Sequence, residues 1–114
     1  MARSASVDRL TDAAPLFAAL GDPTRLAIIN RLCLDGPLPI VRLTDGASVT
    51  RQAVTKHLEA LAEAGLVRSE REGRERIWTV EPRRLAAASR YLDQISKQWD
   101  DAIERLRRFV ETDD

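Results

Sequence analysis

Arg51, Gln52, Thr55 and Lys56 lie within two helical turns of one another, directly after Thr50. Arginine can donate two parallel hydrogen bonds to the N7 and O6 of guanine, and glutamine can pair with the N6 and N7 edge of adenine. A threonine can set its methyl against that of thymine, and Lys56 adds a second positive charge. Such a cluster also makes an ordinary solvated helix surface. Its chemistry therefore depends on where the surrounding elements place it.

Other reactive side chains are sparse. Cys33 is the only cysteine and His57 the only histidine. An internal disulfide is thus impossible, and neither a cysteine-based zinc site nor a histidine cluster can be built within one chain. Cys33 falls near the apolar stripe Leu26, Ile28, Ile29 and Leu32, which predicts a buried, unreactive thiol. In helical projection His57 flanks the apolar side of its segment, which predicts a packed or hydrogen-bonded imidazole and not a base-reading one. Asp93, Asp100, Asp101 and Glu104 have no histidine or cysteine beside them and read as a solvated face. No nucleophile with a partnered base, no phosphate loop and no metal cluster is visible, so neither an enzyme nor a cofactor is expected.

The 114 residues suit one domain, 1–114, with a single apolar core. Lys plus Arg equals Asp plus Glu at 18 each, so any nucleic-acid contact must be local and not a matter of bulk charge. No apolar run approaches the ~18 residues of a membrane span, and no apolar segment follows Arg3, so a cytoplasmic protein without membrane contact is expected.

Punctuation residues divide the chain. Thr11 and Asp12 can cap a first helix carrying Leu16, Phe17 and Leu20 and stopped by Gly21. Asp22 and Pro23 open a second helix that ends at Gly36. Between Pro39 and Asp45, Ile40, Val41 and Leu43 form a brief third helix. Thr50 caps a fourth that runs to Ala64, with Gly65 at its end. A short helix, a tight glycine-containing turn and a longer amphipathic helix make a helix-turn-helix, whose second helix carries the Arg51 cluster at its N-terminal end. Val54, Leu58 and Leu61 form the opposite, packing face.

From Leu66 to Val80, two β-prone runs flank a charged tip in which Gly73 supplies a positive φ. This hairpin is a wing. Its alternating charges allow cross-strand ion pairs, but Arg74 and Arg76 near the tip are expected to reach phosphate or the minor groove, while Arg68 and Arg71 fit either role. After Pro82 a helix of about residues 83–111 contains no Gly or Pro. Leu85, Ala88, Leu92, Ile95, Trp99, Ala102, Leu106 and Phe109 recur along it at spacings of three and four. So long a seam needs a copy of itself, an extended ligand or another partner. The fold class is mainly α with a small β-hairpin: a winged helix-turn-helix with a long C-terminal dimerisation helix.

These blocks resemble the ArsR/SmtB family of bacterial winged helix-turn-helix repressors. The resemblance spans Leu16 to Phe109. It rests on the run Phe17 to Leu26 with Gly21, Asp22, Pro23, Thr24 and Arg25, on Ala53 to Leu58, on Leu61, on Ala64 to Val67, and on Gly73 with Arg74. It implies a homodimer joined by the first and fifth helices, with Leu16, Leu92, Ile95, Trp99, Ala102, Leu106 and Phe109 at the interface. Two recognition helices would then enter successive major grooves of a palindromic double-stranded operator, about 34 Å apart, with Thr50, Arg51, Gln52, Thr55, Lys56, Arg74 and Arg76 as the DNA contacts. Metal-sensing members carry paired cysteines at the third helix or Asp and His ligands on the fifth. Here the third helix reads Pro39, Ile40, Val41, Arg42, Leu43 and the fifth has no histidine. A non-metal regulator is therefore implied. The alternatives are a winged-helix module that binds protein and not DNA, and a ligand- or thiol-responsive regulator.

Overall fold

A computed structural model describes residues 13–46 and 48–112. Residues 13–20 are helical (α1), followed by α2 (Pro23–Asp35), β1 (Leu38–Pro39), α3 (Ile40–Thr44), α4 (Arg51–Glu63), β2 (Val67–Glu72), β3 (Glu75–Val80) and α5 (Pro82–Thr112). This is an α+β winged helix-turn-helix. The expected cap of α1 by Thr11 and Asp12 lies outside the described residues.

The predicted stops and starts have physical counterparts. The Asp22 carboxylate accepts hydrogen bonds from the amides of Thr24 at 2.9 Å and Arg25 at 3.0 Å, which meets two orphan donors of α2. Those bonds, the Arg25 amide foremost, hold its carboxyl below the ordinary carboxylate range, helped by His57 nearby and opposed by partial burial. Thr50 Oγ1 accepts from the Ala53 amide at 3.1 Å and caps α4. Gly65 adopts φ +79° just after Ala64 ends that helix, a left-handed conformation that a residue with a Cβ takes only under strain.

Three strands form the sheet in the order β1-β3-β2, all antiparallel. The sequence alone predicts a two-stranded hairpin. The additional strand is Leu38–Pro39, opposite Trp78 and Ile77. Pro37 and Pro39 mark a break between helices, but a proline at a sheet edge costs no ladder bond when its nitrogen faces away from the neighbour.

The core gathers Leu16, Ile28, Ile29, Leu32, Leu43, Val54, Leu58, Leu61, Leu66, Val67, Trp78 and Ala88. Among the described residues no polar or charged side chain is buried in it. Two expectations are corrected here. Leu16, expected between subunits, is only 2% exposed and belongs to the core of its own chain. Residues 13, 16 and 19 of α1 face inward, whereas Ala14, Pro15 and Ala18 face outward. Cys33, expected to be buried, is exposed. At 100° per residue the buried positions Ile28, Leu32 and Ile29 span an arc of about 100°, and Cys33 falls about 40° beyond its edge.

Leu85 and Ala88 pack the first part of α5 onto this core, and the Phe17 and Tyr91 rings, 5.7 Å apart, add a contact between α1 and α5. Beyond that the helix runs free. At 1.5 Å per residue it is about 46 Å long, in a molecule whose longest dimension is 69 Å. No residue from 89 to 112 is fully buried.

Candidate nucleic-acid interface

On α4, Val54, Leu58 and Leu61 are buried and pin the helix against its neighbours. Placing Arg51 at 0°, the polar residues Arg51, Thr55, Gln52 and Lys56 cover an arc of about 140°, clear of the buried stripe, whose nearest member, Leu58, lies about 20° from Arg51. Arg51, Gln52 and Lys56 are exposed, and among the described residues their side chains make no hydrogen bond or ion pair. Thr55 is half-buried, and its hydroxyl donates to the Arg51 carbonyl at 2.9 Å, so only its methyl is free for a partner. Thr50 is exposed but uses its hydroxyl oxygen as the helix cap, which leaves the rest of its side chain at the entrance of the helix.

The order of charges along this face runs against what helix stability favours. Arg51 stands at the first helical position and Lys56 follows in the second turn, while Glu59 and Glu63 occupy the C-terminal half. The helix macrodipole favours the reverse order, by ~0.3 to 1 kcal/mol per charge. A cationic N-terminal end makes sense where the helix meets an external polyanion, since the free amides, the dipole and the side chains then all act in one direction.

The wing is more organised than its sequence showed. Arg68 Nε lies 3.0 Å from Glu81 Oε1 and is thus held at the base of the sheet. Arg76 Nε donates to Ser69 Oγ at 2.8 Å, and its guanidinium lies 4.7 Å from the centroid of the Trp78 ring. Arg76 therefore lies near the tip, as the sequence predicts, but is anchored to the sheet. Its remaining guanidinium N–H groups can still donate outward, because the residue as a whole is exposed. Gly73 has φ +61° and Arg74 after it has no positive φ, the pattern of a type II′ turn, so the exposed Arg74 occupies the very tip.

The pairing register identifies one residue that the sequence left undecided. Arg71 stands directly opposite Arg76, with Glu72 opposite Glu75. Partners share a face, and Arg71, Arg76, Ser69 and Trp78 alternate onto the same side of the hairpin as the core. Two guanidinium groups directly opposite one another are unfavourable in a free ribbon. Arg71, Arg74 and Arg76 are thus all exposed toward the tip of the hairpin, beyond the covered part of the sheet. Alternation along the chain carries this signal, but only once the register is known.

Helix α5 presents Leu92, Trp99, Ile103, Leu106, Phe109 and Val110 as exposed apolar side chains, Trp99 at 65% and Phe109 at 69%. Ile95 is half-buried and Ala102 exposed. His57, as expected, is engaged by protein: its Nδ1 accepts from Arg25 Nε at 3.2 Å. No helix among the described residues is long and apolar enough to cross a membrane.

A family profile described as "Helix-turn-helix domain" matches residues 20–70. The HTH-type transcriptional regulator Rv2034 of Mycobacterium tuberculosis is 35% identical over 97 residues, 85% of this chain and 87% of that protein. The HTH-type transcriptional repressor SmtB of the same organism is 34% identical over 94 residues, 82% of this chain and 67% of that one. Among solved structures, an ArsR-like transcriptional regulator from Rhodococcus sp. RHA1 superposes with a TM-score of 0.73 at 33% identity, covering 88% of this chain and 93% of that one. The fold and these relatives define a winged helix-turn-helix DNA-binding regulator of transcription. The chain belongs to the ArsR/SmtB family of such regulators.

Proposed function

We propose that the chain is a homodimeric repressor that occupies a palindromic operator and responds to no metal ion. The observation that carries this reading is the uncovered apolar face of α5, running from Leu92 to Val110. A seam of that length, continuous with the packed residues Leu85 and Ala88, suits an identical helix from a second copy. Two copies related by a two-fold axis carry two recognition helices, and a palindrome is the DNA counterpart of that symmetry. Arg51, Gln52, Thr55 and Lys56 supply the base contacts. Thr50, Arg74 and Arg76 supply phosphate or minor-groove contacts, and we add Arg71 to that group.

The repressor role is supported by the 34% identity to a protein named as a repressor. Binding over a promoter excludes polymerase without any further activity. The metal-independent reading is supported by the donor set, since the whole chain holds one cysteine and one histidine and that histidine already faces Arg25.

Light scattering combined with footprinting on the DNA immediately upstream of the protein's own gene tests the proposal. The expected result is twice the 12.8 kDa chain mass and two protected half-sites about one helical turn apart. A monomer, or a single protected site, would overturn it.

A further inference from the structure

Apart from the Thr50 cap at its start, every side-chain hydrogen bond that leaves α4 or its C-cap among the described residues passes through one of two arginines, Arg25 and Arg84. Arg25, on α2, donates through Nε to His57 Nδ1 of α4 at 3.2 Å and through a terminal nitrogen to the Ala19 carbonyl, in the last turn of α1, at 3.3 Å. Arg84, in the first turn of α5, donates through Nε and a terminal nitrogen to the Ala64 carbonyl at the C-cap of α4, at 3.4 and 3.2 Å. In both cases a cation meets a carbonyl at a helix C-terminus, where the unpaired acceptors and the negative end of the dipole lie. Gly65 gives the second contact room, for a Cβ there would stand 3.0 Å from Arg84 Nε and press that side chain aside.

The two arginines thus tie the recognition helix to α5, which the dimer reading places at the subunit interface, and to α1, which packs on α5 through Phe17 and Tyr91. Neither touches the exposed face of α4. We propose that Arg25 and Arg84 are positioning residues that fix α4 relative to the dimer helices, and thereby set the half-site spacing that the protein accepts. This inference rests on the dimeric reading above. It assigns to these residues a role in specificity separate from base or phosphate contact. The imidazole is part of the device, because a Nδ1 that accepts from Arg25 must carry its lone pair there, and the charged groups facing it are Asp22, 3.9 Å away, and Arg25 itself.

The test begins with an operator selected in vitro from random duplex DNA. Affinity is then measured for that operator and for one with two base pairs inserted between its half-sites, a rotation of about 70° about the DNA axis. Arg25→Gln and Arg84→Gln are expected to lower the ratio of the two affinities by about fivefold or more. Binding to unrelated duplex, and its salt dependence, should stay as in the parent protein. Arg84→Lys, which keeps one donor, should retain more of the ratio than Arg84→Gln. His57→Asn, which keeps an acceptor, should retain more than His57→Ala. An unchanged ratio in folded Arg25→Gln and Arg84→Gln dimers overturns the inference, as does a salt dependence weakened in step with the affinity, which would make these residues phosphate contacts. A monomeric parent protein would instead overturn the dimeric reading, and light scattering separates the two failures.

Discussion

Arg76 lies over the face of Trp78, its guanidinium carbon 4.7 Å from the ring centroid. The same indole is 2% exposed and sits on β3 between Leu38 of β1 and Ser69 of β2. One residue therefore joins the short strand ahead of the helix-turn-helix to the hairpin behind it. Trp78→Ala should cost about 3 to 5 kcal/mol in a urea titration. Arg76→Ala, which removes one cation-π contact and one hydrogen bond at an exposed site, should cost only about 1 kcal/mol. Equal losses would mean that the wing is held by the guanidinium and not by the indole.

Stability and DNA affinity should move in opposite directions at Arg51. Replacing this cation at the first position of α4 by alanine removes an unfavourable interaction with the helix dipole and should raise stability by about 0.3 to 1 kcal/mol. Operator affinity should fall at the same time. Thermal unfolding and a fluorescence-anisotropy titration, run on one preparation, check both signs. A variant that loses stability and keeps its affinity would place α4 outside the groove.

Acid should reveal the cap of α2. The Asp22 carboxyl is held below its ordinary value of 3.8, chiefly by the Arg25 amide. A group depressed in the folded chain contributes stability above its unfolded value, and that contribution is lost as the pH falls through the folded value. Between neutral pH and about pH 4 the contribution should be constant, and below that it should fade. Asn is an equally good cap without a titrating proton. Asp22→Asn should therefore unfold less steeply with acid below pH 4, as circular dichroism across the range would show.

Charge placed in the seam of α5 should separate the copies. Ile95→Glu combined with Leu106→Glu is expected to give a particle of 12.8 kDa by light scattering, with the core and its near-ultraviolet signal retained. The retained core follows from burial: Leu106 is 64% exposed and Ile95 half-buried within one chain. An unchanged dimer would remove the seam from the interface.

Local chemistry explains which features could be read before the structure was known. Asp22 with Pro23, Thr50, Gly65 and Gly73 each satisfy a backbone requirement within a few residues, so their roles were evident from spacing alone. Features that depend on distant partners were not. Leu38–Pro39 becomes a strand only because Trp78 and Ile77 come to lie beside it. Leu16 has the character of either core or interface, and only the packing of α1 decides between them. Arg71 and Arg76 acquire a common face from the register, and Arg25 finds His57 across 32 positions of chain. Cys33 shows the limit of projection, since a shift of about 40° separates a covered thiol from an open one.

The far part of α5 has a consequence for how much protein a cell must make. A lone helix that buries so little is marginal in water, because its order must come from whatever lies against it. If a second copy supplies that cover, helix formation and association become one equilibrium governed by mass action. Diluting the chain would then shorten its helix as well as separate its subunits, and the midpoint of thermal unfolding would climb with concentration. Dosage itself would act as a threshold, with a scarce chain silent and an abundant one competent to bind.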